Sequence, residues 1–107
     1  MKVLFASVAL LATQSITAQA DVVSLQFYKD SCQKFLQSET EDQNMYLWWG
    51  AGRISKDLQK DPKTANIKVD DAAASQMLRD YCTAHPDALF VDAADAAKAQ
   101  IAGTPKP

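Results

Sequence analysis

The stretch from Thr40 to Gln59, TEDQNMYLWWGAGRISKDLQ, decides the fold. Thr40 with Gln43 three positions later has the form of a capping box, in which each side chain satisfies a backbone N–H left free by the first helical turn. Leu47, Ala51, Ile54 and Leu58 follow at spacings of four, three and four, so they share one narrow arc of a helix. Met45, Trp48, Trp49 and Gly52 fall on the opposite side. A helix on the surface of a monomer needs one apolar stripe, and this one carries two. Gly50 and Gly52 each cost about 1 kcal/mol relative to Ala in a helix interior, which predicts a close approach or a kink there.

Further helices are read on either side. Ser31 is placed to cap a short helix through Gln37, with Cys32, Phe35 and Leu36 at helical spacing. Val22 to Phe27 alternates weakly and is left as either an extended arm or a helix start. Lys60 to Lys68, KDPKTANIK, is a loop broken by Pro62 and Asn66. Asp70 or Asp71 caps a third helix to about Ala84, with Ala74, Met77, Leu78 and Tyr81 buried and Cys82 at the stripe's edge. Pro86 suits the first turn of a fourth helix, which buries Phe90, Ala93, Ala94, Ala97 and Ile101 and stops at Gly103. The expected fold is all-α: a small bundle of four to five short helices closed by one disulfide.

That disulfide follows from compartment and count. Residues 1–20, MKVLFASVALLATQSITAQA, have a Lys2 n-region, an apolar run from Val3 to Ala12 and an A-x-A site at Ala18 to Ala20. Ten apolar residues fall short of the roughly 20 that span a bilayer, so the segment is a signal peptide cleaved after Ala20 rather than an anchor. No other segment is apolar enough to span a membrane, and a soluble periplasmic product is expected. Cys32 and Cys82 are the only cysteines, an even number in an oxidising compartment. One bridge between them closes a loop of about 51 residues and contributes roughly 4 kcal/mol in the chain-entropy model. Residues 21–107 then form a single helical domain, small enough to benefit from a covalent staple.

Charge and composition exclude more than they assign. Eleven Lys+Arg against thirteen Asp+Glu leave a net charge of −2 over 107 residues, without the basic excess of a nucleic-acid-binding surface. No phosphate-binding loop, dinucleotide fingerprint, nucleophile elbow or metal-ligand cluster is visible, so no catalytic residue, metal or cofactor is assigned. His85, beside a proline, reads as a cap or an exposed residue. The acids are better placed. Glu39, Glu41 and Asp42 stand at the start of the second helix, Asp70 and Asp71 at the third, and Asp87 at the fourth. Each ionised carboxylate there contributes ~0.3–1 kcal/mol through the helix dipole, and that contribution fades in acid. Without the leader the charge is −3. It becomes about +12 once thirteen carboxylates neutralise while ten Lys+Arg, His85 and the amino terminus stay positive.

The leader, Cys32-x-x-Phe35-Leu36, the Trp48-Trp49 pair, and Tyr81-Cys82 followed by Pro86 together resemble the HdeA/HdeB family of small periplasmic acid-stress chaperones. The resemblance covers roughly Ser31 to Phe90, and the Trp pair with Cys-x-x-Phe looks closer to HdeB, as in a divergent member. It implies an all-α fold with Cys32 bridged to Cys82, a homodimer at neutral pH, and acid-triggered loosening that exposes apolar surface. That surface would bind unfolding periplasmic proteins without ATP, with no enzymatic activity. Trp48 and Trp49 match the family's pair, and Met45 joins them by helical geometry as a client-binding or dimer surface. The rival reading of the Trp pair is core packing. The rival function is a specific periplasmic binding module, such as an effector-immunity protein.

Overall fold

The computed structural model describes residues 25–103. The leader read over residues 1–20 and its cleavage site lie outside the described residues, as does the tail from residue 104. Among the described residues there are four helices: α1 (Cys32–Gln37), α2 (Thr40–Lys60), α3 (Asp71–Ala84) and α4 (Phe90–Ala102). The protein is therefore all-α. Among the described residues the extended pairing is limited to an isolated bridge between Ser31 and Leu89.

Ser31 caps α1 as expected, its hydroxyl accepting from the Lys34 N–H at 3.0 Å. Asp70 caps α3 by accepting from the Ala72 N–H at 3.1 Å. The start of α2 departs from the expectation. Thr40 is the first helical residue rather than its cap; Glu39 holds the cap position without a side-chain hydrogen bond. Gln43 turns outward from α2 and donates to the carbonyls of Phe35 and Leu36 at 3.1 and 3.0 Å. It thereby adds to the satisfaction of the last turn of α1, where Phe35 O also accepts from the Ser38 N–H at 3.1 Å. A tertiary need overrides the local box.

The fourth helix begins at Phe90, four residues later than Pro86 suggests. The intervening carbonyls are taken by α1: Cys32 N–H donates to Ala88 O at 2.8 Å and Gln33 N–H to Pro86 O at 3.0 Å. Those two N–H groups are orphans of the α1 N-terminus. Segment 86–89 is held as a turn because it completes the other helix. Asp87 is consequently not a helix N-terminal acid. Asp92 fills that role, its carboxylate accepting from the Leu89 N–H at 3.2 Å.

Tyr46, Phe35, Phe90, Ile54 and Leu78 are fully buried at the centre, with Ala74, Ala93, Ala94 and Ala97 letting helices approach closely. Leu47, Ala51 and Leu58 are buried as expected. Met77, Tyr81 and Ile101 pack against the core but are only half-buried. The Cys32–Cys82 disulfide ties α1 to α3 with both residues out of contact with solvent. Gly50 answers to the predicted close approach: a Cβ there would lie 2.7 Å from Leu78 Cδ1 and 3.3 Å from a Phe90 ring carbon. Gly52 does not, because a Cβ there would meet nothing within 4 Å.

Candidate functional site

The segment Leu25–Asp30 crosses the N-terminal half of α2 and ends in a buried acid. Asp30 is 8% exposed. Its Oδ2 accepts from Tyr46 Oη–H at 2.5 Å and from the Gln26 N–H at 2.8 Å, and its Oδ1 pairs with Lys34 Nζ at 3.2 Å. Its carbonyl accepts from the Phe90 N–H at 2.9 Å, so one residue joins this segment to α1, α2 and α4. Burial pushes the Asp30 carboxyl up. Hydrogen bonds from Tyr46, the Gln26 N–H and Lys34, together with the Lys34 charge, outweigh burial and hold it below the ordinary aspartate value. The Tyr46 hydroxyl is pushed well above the usual tyrosine range by burial first and then by bonding to the Asp30 carboxylate.

Aromatic rings continue from this anchor to the surface. Phe27 meets Tyr46 edge-on at 5.2 Å and stacks on Trp49 at 5.4 Å, while Tyr28 meets Trp49 edge-on at 5.1 Å. Tyr46 in turn packs on Phe35 and Phe90 at 5.5 and 5.1 Å. The Trp pair is therefore divided. Trp49 is half-buried beneath residues 27 and 28, whereas Trp48 is 75% exposed, with Met45 also exposed one turn earlier. Core packing thus describes Trp49 in part, and Trp48 lies at the surface.

Beyond Trp49, the Arg53 guanidinium lies over the rings of Tyr28 and Trp49, at 5.3 and 5.7 Å. Its Nε is 3.6 Å from Asp95 and 3.9 Å from Asp57, yet it is buried without a hydrogen-bond partner. Trp48, Gly52, Lys56 and Lys60 complete a surface groove of about 370 Å³ with Tyr28, Trp49, Arg53 and Asp57.

Of the residues singled out from sequence, Cys32 and Cys82 meet, and Met45, Trp48 and Trp49 line one face of α2. The acids do not converge: Glu39, Glu41 and Asp42 stay at the start of α2, Asp70 and Asp71 at α3, and Asp87 in the turn before α4. Asp30, Tyr46, Tyr28 and Arg53 escaped sequence reading. The i,i+4 spacing of Asp30 and Lys34 is the one local signal for the buried acid. Among the described residues no cluster of His, Cys, Asp and Glu could hold a metal ion, and no helix is long and apolar enough to cross a membrane.

A family model described as the HdeA/HdeB family matches residues 1–92. No curated protein and no solved structure matches the chain.

Proposed function

Because the chain belongs to the HdeA/HdeB family of periplasmic acid-stress chaperones, we propose that it is exported, folded at neutral pH as a homodimer, and opened by acid to bind unfolding periplasmic proteins without ATP. The family is one of chaperones rather than enzymes, and the residues 21–107 would act as one helical domain once the leader is cleaved after Ala20. The observation that carries this reading is the buried Asp30 carboxylate. Its folded value lies below the ordinary one, so its stabilisation is present above the unfolded pKa and is lost as pH falls through the folded pKa. That window lies below about pH 4.

Protonation of Asp30 removes the charge from its bonds to Tyr46, Gln26 and Lys34 together. The segment it anchors is the one whose Phe27 and Tyr28 cover Trp49. Release of that segment adds Trp49, Phe27 and Tyr46 to the apolar surface already offered by Trp48 and Met45. The Cys32–Cys82 bridge keeps α1 and α3 joined in the opened state. The charge of about +12 keeps complexes with clients soluble. Glu39, Glu41 and Asp42 stand at the start of α2 and Asp70 and Asp71 at that of α3, where carboxylates favour the helix dipole, whereas Asp87 stands in the turn before α4.

The test is to acidify a periplasmic lysate to pH 2–4 with and without the protein and follow aggregation by light scattering. Suppression at stoichiometric amounts is expected. Its absence, or suppression equal at pH 7, removes the acid-stress reading.

A further inference from the structure

Gly52 is a helix-interior glycine that no packing contact explains, since a Cβ there would meet only open space. Its open side faces the groove on α2. Trp48 stands one turn before it, 75% exposed, and Lys56 one turn after, so the missing side chain leaves a gap between an indole and an ammonium. At about 370 Å³ the groove falls within the range of small-ligand sites.

Its charge is opposite to that of the chain. The whole chain is at −2, yet the groove is lined by Arg53, Lys56 and Lys60 with one acid, Asp57, while Asp95 beside it stands 3.6 Å from Arg53. Asp57 is already shared among cations, with Arg53 at 3.9 Å, Lys60 at 4.0 Å and Lys98 at 3.9 Å. Lys56 makes no ion pair within 4.0 Å among the described residues. An indole wall, a glycine floor and a cationic end fit an anion attached to a flat or branched apolar group.

We propose that this groove binds an acidic polypeptide segment carrying an aromatic or aliphatic side chain, and that it does so in the folded state at neutral pH. The apolar side chain lies over Gly52 against Trp48 and Trp49. The neighbouring carboxylates of the segment face Lys56 and Lys60. Indole stacking supplies the contact area, and the cations supply the preference for acidic sequence. The site does not depend on the acid-stress reading, because binding at neutral pH requires no opening of the bundle.

The oxidised protein at pH 7 is titrated with blocked peptides while tryptophan fluorescence is recorded. One peptide has Phe flanked by Asp and Glu, a second replaces the acids by Lys, and a third replaces Phe by Ala. The first is expected to bind at least tenfold more tightly than either control, and more weakly in 0.5 M salt. Lys56→Glu with Lys60→Glu should lower its affinity tenfold or more. Gly52→Leu should abolish binding while leaving the far-UV circular dichroism intact and Tm unlowered. Equal binding of the lysine peptide, no binding of any peptide, or affinity unchanged in both variants overturns the proposal. So does a dimer, seen by sedimentation at the concentrations titrated, that Trp48→Ala converts to a monomer, which places a second copy of the chain over Trp48.

Discussion

Replacing Asp30 with Asn separates the buried charge from the shape it occupies. Asn keeps an oxygen for Tyr46 Oη–H and the Gln26 N–H, at 2.5 and 2.8 Å in the native protein, but both bonds become neutral. A hydrogen bond to a charged group contributes about 1.5–3 kcal/mol against 0.5–1.5 for a neutral one, so each bond loses roughly 1 kcal/mol. The pair with Lys34 at 3.2 Å also disappears; Lys34 is 39% exposed, which limits that contribution to about 0.2–1 kcal/mol. Asp30→Asn should therefore destabilise the protein by about 2–3 kcal/mol at pH 7, a fall in Tm of roughly 10–20 °C for a domain of this size. The pH dependence is the sharper part. Once the pH falls below the lowered pKa of Asp30 the native aspartate is itself protonated, so the gap should narrow from about pH 4 downward and the two proteins should converge in stability. Urea unfolding followed by tryptophan fluorescence at intervals from pH 7 to pH 2.5 measures the difference. A gap that stays constant across that range, or no gap at pH 7, would refute the assignment of Asp30 as a proton-linked anchor.

Three further outcomes are expected. Gly50→Ala should cost about 1–2 kcal/mol, because overpacking against Leu78 and Phe90 exceeds the gain in helix propensity, whereas Gly52→Ala should stabilise by about 0.5–1 kcal/mol; paired thermal melts decide both. Reduction, or Cys32→Ser with Cys82→Ser, should lower the unfolding free energy by about 4 kcal/mol for a sequence separation of 50 residues, read from urea midpoints with and without reductant. Trp48→Ala should change stability by less than about 0.5 kcal/mol given its 75% exposure, yet weaken suppression of client aggregation in acid; a large drop in Tm would place Trp48 in the core instead.

Much of the bundle was legible along the chain. Leu47, Ala51, Ile54 and Leu58 declared the buried face of α2, and Ser31 and Asp70 declared two helix starts, because periodicity and caps act over a few residues. The box at Thr40 and Gln43 and the start at Pro86 misled for one reason. Each gave a local solution to a backbone group that the folded chain satisfies from another element: Gln43 closes α1, and the carbonyls of Pro86 and Ala88 serve the N-terminus of α1. Gly50 and Gly52 look alike in sequence, yet only the first lies against another helix.

By itself, then, the amino-acid order determined the helical class, the two-faced character of α2, the Cys32–Cys82 staple and the family, all of which rest on residue type and short spacing. Tertiary structure alone decided which Trp of the pair is covered, where α4 begins, and that Asp30 is the buried acid. Asp30 lies 16 residues from Tyr46 in the chain, and a carboxylate's ionisation depends on the burial and hydrogen bonds that folding brings to it. No spacing rule along a sequence carries that information.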